Sequence, residues 1–272
     1  MDLRYVQTLL VDEARQQLAS LAVSRPIAKK ASTIRELSGL FQGVGICRLL
    51  VDADPEKFRE NLIRSAQARR YYLRRSHREG DLNQRFLGLS RTEAFLDAIV
   101  ARAEDLKRDI ATLSVEQWHE GWEYEDDFCY YVFLHHVAVG RDFAASEAAE
   151  KVLERFERAL EGQSSTRLSL CRAFLKKDRL GLRSALEAFL DERRRYVEKK
   201  RPEMTEYTAQ ALFWPRSFVS IEALAWLVLL DDYGIDLGGT FEACPIEATE
   251  LTGSLPPVED FLESLDVALD QA

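Results

Sequence analysis

This sequence predicts an all-α fold, and three observations carry the prediction. Apolar residues recur at three- and four-residue spacing through most of the 272 residues, and helix-start signals such as Asp54 followed by Pro55 precede several of these runs. No stretch alternates β-branched and polar residues as a half-buried strand would. The expected architecture is a multi-helix bundle or irregular array of helical hairpins with roughly nine to twelve helices and no significant sheet. Two helices apolar on every side, Phe128 to Val139 and Phe218 to Leu230, are expected to be central neighbours, because such helices belong inside a protein.

Taken in order, Tyr5, Leu9, Leu10, Ala14, Leu18 and Leu21 form the stripe of a first helix that stops before Pro26. A second begins near Ser32 and carries Gly39, Gly43 and Gly45. Glycines weaken a helix, so their expected use is close approach of a neighbouring helix, and no preceding strand or following Lys-Ser/Thr suggests a phosphate loop. Asp54 and Pro55 then supply an N-cap and a proline at the first helical position. The helix they open ends in Arg69, Arg70, Arg74, Arg75, His77 and Arg78, the densest basic cluster, read as a helix terminus that pairs with acids elsewhere.

Residues 79–90 are polar with two glycines and mark a possible seam within a single domain spanning 1–272. Ser90 to Glu93 fits a capping box, after which Ala94 to Leu113 reads as one helix; Ser114 to Gln117 fits a second box. Ser146 caps the next helix and Gly162 closes it. Leu168 to Leu175 and Leu182 to Leu190 read as two helices split by Lys176 to Asp178, the second running into basic residues up to Pro202. Phe213 to Pro215 reads as a break, Gly234 as a cap, and Val258, Phe261, Leu262, Leu265 and Leu269 as a terminal helix packed back on the body.

Composition limits the functions available. A hydrophobic content of 46% can supply a large core, and 37 Lys+Arg against 46 Asp+Glu give a net charge of −9. That balance disfavours general nucleic-acid or anionic-membrane binding and suits a basic partner. Cys47, Cys129, Cys171 and Cys244 are too scattered for a zinc site or disulfide framework. The N-terminal stretch has charges inside its apolar pattern, unlike a signal peptide, and no uninterrupted apolar run reaches transmembrane length, so a cytoplasmic location is expected.

The stretch that concentrates functional potential is Trp118 to Gly140. Trp118, Glu120, Trp122, Glu123, Glu125, Asp126 and Asp127 precede its apolar run, and negative charge is favoured at a helix N-terminus. Asp127, Tyr131 and His135 share a helical face but are too far apart along the axis to chelate one ion. No glutamate lies three residues before any histidine, no adjacent His-Asp pair occurs, and nucleophile-elbow, P-loop and dinucleotide signatures are absent, so neither a metal nor a cofactor is expected. His135 is read as a buried, hydrogen-bonded structural residue, and Glu222, alone in the second apolar helix, as a carboxylate needing an arginine or tyrosine. Two alternatives keep a footing. One is a helical hydrolase, metal-dependent or resembling HEPN ribonucleases through Arg70 and His77, although Tyr71 follows that arginine where those enzymes favour a polar residue. The other is a nucleic-acid-binding regulator using the basic helix end at 69–78.

Three short motifs carry a resemblance. Gly39 to Gly45, the acidic-aromatic run Glu123 to Phe128 leading to Leu134, and Phe218 to Ala225 followed by Gly234 and Cys244-Pro245 resemble the immunity protein 49 family of bacterial polymorphic-toxin systems. Ala223 stands where that family usually has glycine, a mild departure that preserves close packing. The resemblance implies a cytosolic, non-enzymatic, all-helical protein that binds and neutralises a cognate toxin domain. If that toxin has a basic cleft, the acidic lead-in with Trp118 and Trp122 as anchors is the expected toxin-facing surface.

Overall fold

The computed structural model describes residues 2–22, 26–82, 85–91, 93–204, 207–249, 258–260 and 262. Among them the chain forms eleven α-helices: α1 (Leu3–Leu21), α2 (Ala31–Asp52), α3 (Pro55–Glu79), α4 (Ala94–Val100), α5 (Glu104–Leu113), α6 (Glu125–Val139), α7 (Glu147–Ala159), α8 (Thr166–Leu175), α9 (Arg179–Lys200), α10 (Tyr207–Phe218) and α11 (Ile221–Asp232). One isolated bridge between Phe241 and Cys244 is the sole β pairing in the described residues. The fold is all-α, as the periodicity requires.

Capping chemistry sets many boundaries. Asp54 accepts from the backbone N–H of Lys57 and Pro55 opens α3, while Gly80, with φ of +69°, closes it. Ser146, Ser165, Asp178 and Ser220 accept in the same way from the first turns of α7, α8, α9 and α11. The glycines of α2 are close-packing residues: a Cβ at Gly43 would lie 2.9 Å from the Leu10 side chain of α1, and one at Gly45 would lie 3.0 Å from the Phe58 carbonyl oxygen of α3. With those contacts α1 and α3 sandwich α2 to form the N-terminal layer.

The two apolar helices do lie in one core, but not backbone to backbone. The nearest backbone to α11 is that of α4, which is buried along its whole length. Helices α11 and α6 meet through side chains: fully buried Trp226 donates its indole N–H to Tyr130 Oη at 2.9 Å, and Tyr233 Oη donates to the Val137 carbonyl at 2.9 Å.

Several boundaries differ from expectation for tertiary reasons. Ala94 to Leu113 is broken at Arg102, whose φ of +50° turns the chain. Its guanidinium reaches Asp231 and Asp232 at the end of α11, both at 2.5 Å, where the carboxylates hold it in that unusual backbone region. Ser90 forms no capping box: it lies in a 3-10 turn, its N–H donates to Glu123, and α4 begins only at Ala94. Ser114 to Gln117 opens no helix either and belongs to the connection from α5 to α6.

Phe213 to Pro215 lies inside α10 rather than between helices, and the break falls at Val219 and Ser220. By length and composition the 23 residues Gln210–Asp232 would pass as a membrane span, unlike the reading of the sequence. The Val219–Ser220 break divides them into two helices, however, and α11 is core. Further along, Leu262 is buried in the core and the Val258 carbonyl accepts from Gln67 of α3; Phe261, Leu265 and Leu269 lie outside the described residues.

Candidate binding cleft and its acidic rim

Three helix N-termini converge on one charged cluster. Asp127 lies in the first turn of α6, Arg167 at the start of α8 and Glu222 in the first turn of α11. Arg167 grips Glu222 with Nε at 2.7 Å and Nη2 at 2.8 Å, gives Nη1 to Asp127 at 2.8 Å, and lies 4.7 Å over the Tyr130 ring. Glu222 thus finds an arginine, one of the solutions open to it, and it is part-buried rather than buried. Burial opposes the Arg167 charge, but the Glu222 carboxylate outweighs it and holds the guanidinium pKa above its usual value. Burial raises the Asp127 pKa, and Arg167 pulls against that rise.

Beyond this trio opens a cleft of about 790 Å³, whose walls include Asp126, Glu192, Arg193, Tyr196 and Phe213. Gln42, Glu93, Asp127, Arg167, Leu212 and Arg216 are shared with an adjoining groove of about 410 Å³.

The floor of that groove is a buried polar chain. Ser38 and Ser65 hydroxyls meet at 2.8 Å, Ser65 donates to Asp97 at 2.5 Å, and Gln42 donates to the other Asp97 oxygen at 2.8 Å. Asp97 has no exposed surface, and burial pushes its pKa up to about 7 against the hydrogen bonds from Ser65 and Gln42. Asp97 was missed as a site residue, though a lone acid inside the apolar run of α4 was a signal of the same kind as Glu222.

His135 lies deep in α6 with its ring against Phe95, centroids 3.8 Å apart, and its Nε2 has no partner, unlike the hydrogen-bonded histidine expected. Burial, reinforced by Arg69, pushes its pKa down to about 3.

Asp97 and His135 make opposite contributions to stability. Asp97 rises from 3.8 to about 7, so across that window the folded protein keeps a proton the unfolded chain has lost, and its contribution falls as pH rises. His135 drops from 6.5 to about 3, so its contribution is present above 6.5 and is lost as pH falls. Asp97→Asn should remove the first effect only. Its unfolding free energy relative to wild type should improve by up to about 4 kcal/mol between pH 4 and pH 8 in urea titrations. A difference that stays flat across that range would show that Asp97 titrates as an ordinary carboxylate.

The acidic lead-in is largely built into the structure. Glu123 is 6% exposed and its carboxylate accepts from the N–H groups of Leu89 and Ser90, so it does not present itself to a partner. Glu125 pairs with Arg155 at 2.7 Å and Asp127 with Arg167. Trp118 donates to the Glu123 carbonyl and lies under the Arg155 guanidinium; Trp122 packs at a tilt against His119, ring centroids 4.2 Å apart. Both tryptophans are partly buried and pack against the core rather than standing free as anchors. Glu120 is exposed, and Asp126 lines the cleft without an ion pair among the described residues. Tyr124, 79% exposed at the start of α6, is the free aromatic of this rim, and the emphasis on tryptophan in the sequence passed over it.

The basic end of α3 is similarly absorbed. Arg69 is buried and donates to the carbonyls of Phe86, Leu87 and Gly88, Arg70 and Arg74 reach Asp109, Arg70 also reaches Asp260, and Arg75 reaches Glu79. His77 engages the Leu113 carbonyl. Residues 85–91, within the expected seam, are held by Arg69 from one side and Glu123 from the other.

Among the described residues no group of three or more His, Cys, Asp or Glu gathers as a metal site. The four cysteines are free and buried, and burial pushes the Cys47 and Cys244 thiols up to about 12 and the Cys129 thiol up to about 11, far from reactive thiolates.

The described residues thus form an all-helical body with many internally paired charges and a rimmed cleft. The family model for Immunity protein 49 matches residues 84–248, which is more than half of the chain, and the chain belongs to that family. The Gly39 to Gly45 motif lies outside the matched residues. No curated protein and no solved structure matches the chain.

Proposed function

We propose that this protein binds and neutralises a cognate bacterial toxin domain in the cytoplasm by covering it, without catalysis of its own. Family membership carries the reading. One face supports it: Asp126 and the exposed Glu93 line the cleft, and the exposed Glu120 and Tyr124 stand a few residues before Asp126 in the chain. Acids of this kind speed encounter with a basic surface, and a protruding tyrosine supplies the buried anchor that affinity needs.

The test uses the toxin domain encoded beside this chain's gene. A Glu120→Lys, Tyr124→Ala, Asp126→Lys variant should bind it at least about 100-fold more weakly and fail to protect cells, with its circular dichroism unchanged. Glu123 and Glu125 are left alone because their carboxylates hold the fold. Undiminished protection by the variant would remove this face from the interface. Failure of the wild type to bind that toxin would overturn the functional reading itself.

A further inference from the structure

We propose that the groove between α2, the 85–91 turn and α10 is a binding site for a small oxyanion, a phosphate or carboxylate, gripped by Arg91 and Arg216. The inference stands apart from the toxin reading, since it concerns a small ligand rather than a protein surface.

Several part-buried arginines have a carboxylate partner, as Arg102, Arg155 and Arg167 do, and the deeper Arg69 is satisfied by carbonyls. Arg91 and Arg216 face the same groove of about 410 Å³, and neither is in an ion pair among the described residues. In both, Nε is buried without a hydrogen-bond partner. Nε is sealed from the groove, as it also is in Arg70, so an anion would meet the outer guanidinium nitrogens, which have no hydrogen-bond partner among the described residues; a guanidinium fork matches the oxygens of a carboxylate or phosphate.

The nearby acids do not answer this demand. Asp97 is hydrogen-bonded by Ser65 and Gln42 and meets Arg216 only through its field, Asp127 is paired with Arg167, and Glu36, on the exposed side, makes no ion pair with either arginine. Glu93 lies at the exposed edge.

Two further features suit a ligand. A Cβ at position 39 would lie 3.1 Å from Arg216 Nη2, so Gly39 leaves the room that this guanidinium occupies. Gln42 is 1% exposed and lines the groove, with Nε2 committed to Asp97 while Oε1 has no partner. The groove volume falls in the range of about 300–1,000 Å³ typical of small-ligand sites.

The probes are inorganic phosphate and citrate, the latter a carboxylate with an adjacent hydroxyl, each titrated into the full-length protein at constant ionic strength with chloride as the reference. Calorimetry should show saturable binding of at least one of them, and the preferred probe identifies the anion as phosphate or carboxylate. An Arg91→Ala, Arg216→Ala variant should lose at least about tenfold in affinity. The single Arg91→Gln variant, which disturbs packing less, should also weaken binding. Arg195→Ala, on the exposed face of α9, should not. Absence of saturable binding by the wild type with either probe overturns the proposal, whatever the variants do. Equal binding by the wild type, the double variant and Arg91→Gln also overturns it.

Discussion

Arg167→Ala should cost about 3–5 kcal/mol of stability at pH 7, the effect expected when one partner of a buried ion pair is removed. Arg167 serves two carboxylates and a tyrosine ring, and the Glu222 side chain is only 15% exposed. Without the guanidinium, Glu222 and Asp127 are left as neighbouring carboxylates in a half-buried place, each raising the cost of ionising the other. The loss should shrink at pH 4, where the orphaned acids take up protons. Combining Arg167→Ala with Glu222→Gln and Asp127→Asn should recover much of it. Urea denaturation of the two variants at both pH values provides the check. A single variant within about 0.5 kcal/mol of wild type would show that solvent screens the cluster as it does surface pairs.

Trp226→Ala should be comparably damaging, at about 3–5 kcal/mol, because it empties the largest fully buried side chain in the contact between α11 and α6. Trp226→Phe should cost less, since it keeps most of the apolar volume and loses chiefly the hydrogen bond to Tyr130. Thermal and denaturant unfolding of the two variants rank these contributions. Equal losses would place the importance of Trp226 in its N–H rather than its bulk.

Much of the fold was legible because it rests on local chemistry. Asp54, Pro55 and Ser146 mark helix starts by the N–H groups they satisfy or spare, and the α2 glycines signalled close helix packing that α1 and α3 provide. The α4–α5 break was not legible. Ala94 to Leu113 is a continuous helical pattern, and what interrupts it is a pair of aspartates about 130 residues further along the chain. Of the two capping-box signatures, the one at Ser114 failed locally, its N–H closing α5 on the Ile110 carbonyl, and the one at Ser90 failed for a tertiary reason. The Ser90 N–H found Glu123, a tertiary acceptor, before it could serve a local one.

The candidate site divides along the same line. Sequence read Glu222 as a buried acid that needs an arginine, a tyrosine or a proton; the structure leaves it part-buried at the cleft and gives it Arg167, which the sequence could not name. It also gathered the acids from Glu120 to Asp127 into one group, because charge density along a chain is visible and exposure is not. Tertiary structure separated them: Glu123 satisfies two backbone donors, Glu125 and Asp127 answer arginines from other helices, and Glu120 and Asp126 are in no ion pair among the described residues.

By itself, then, the sequence determined the helical class, several of the helix caps and the presence of a charged opening to an apolar helix, all of which follow from interactions within a few residues. Only the tertiary structure decided that the N-termini of α6, α8 and α11 meet there, that Asp97 and Gln42 lie beneath the groove, and that Tyr124 rather than the tryptophans stands in solvent. Those facts depend on which distant side chains compete for each charge and each burial position, and local spacing carries no record of that competition.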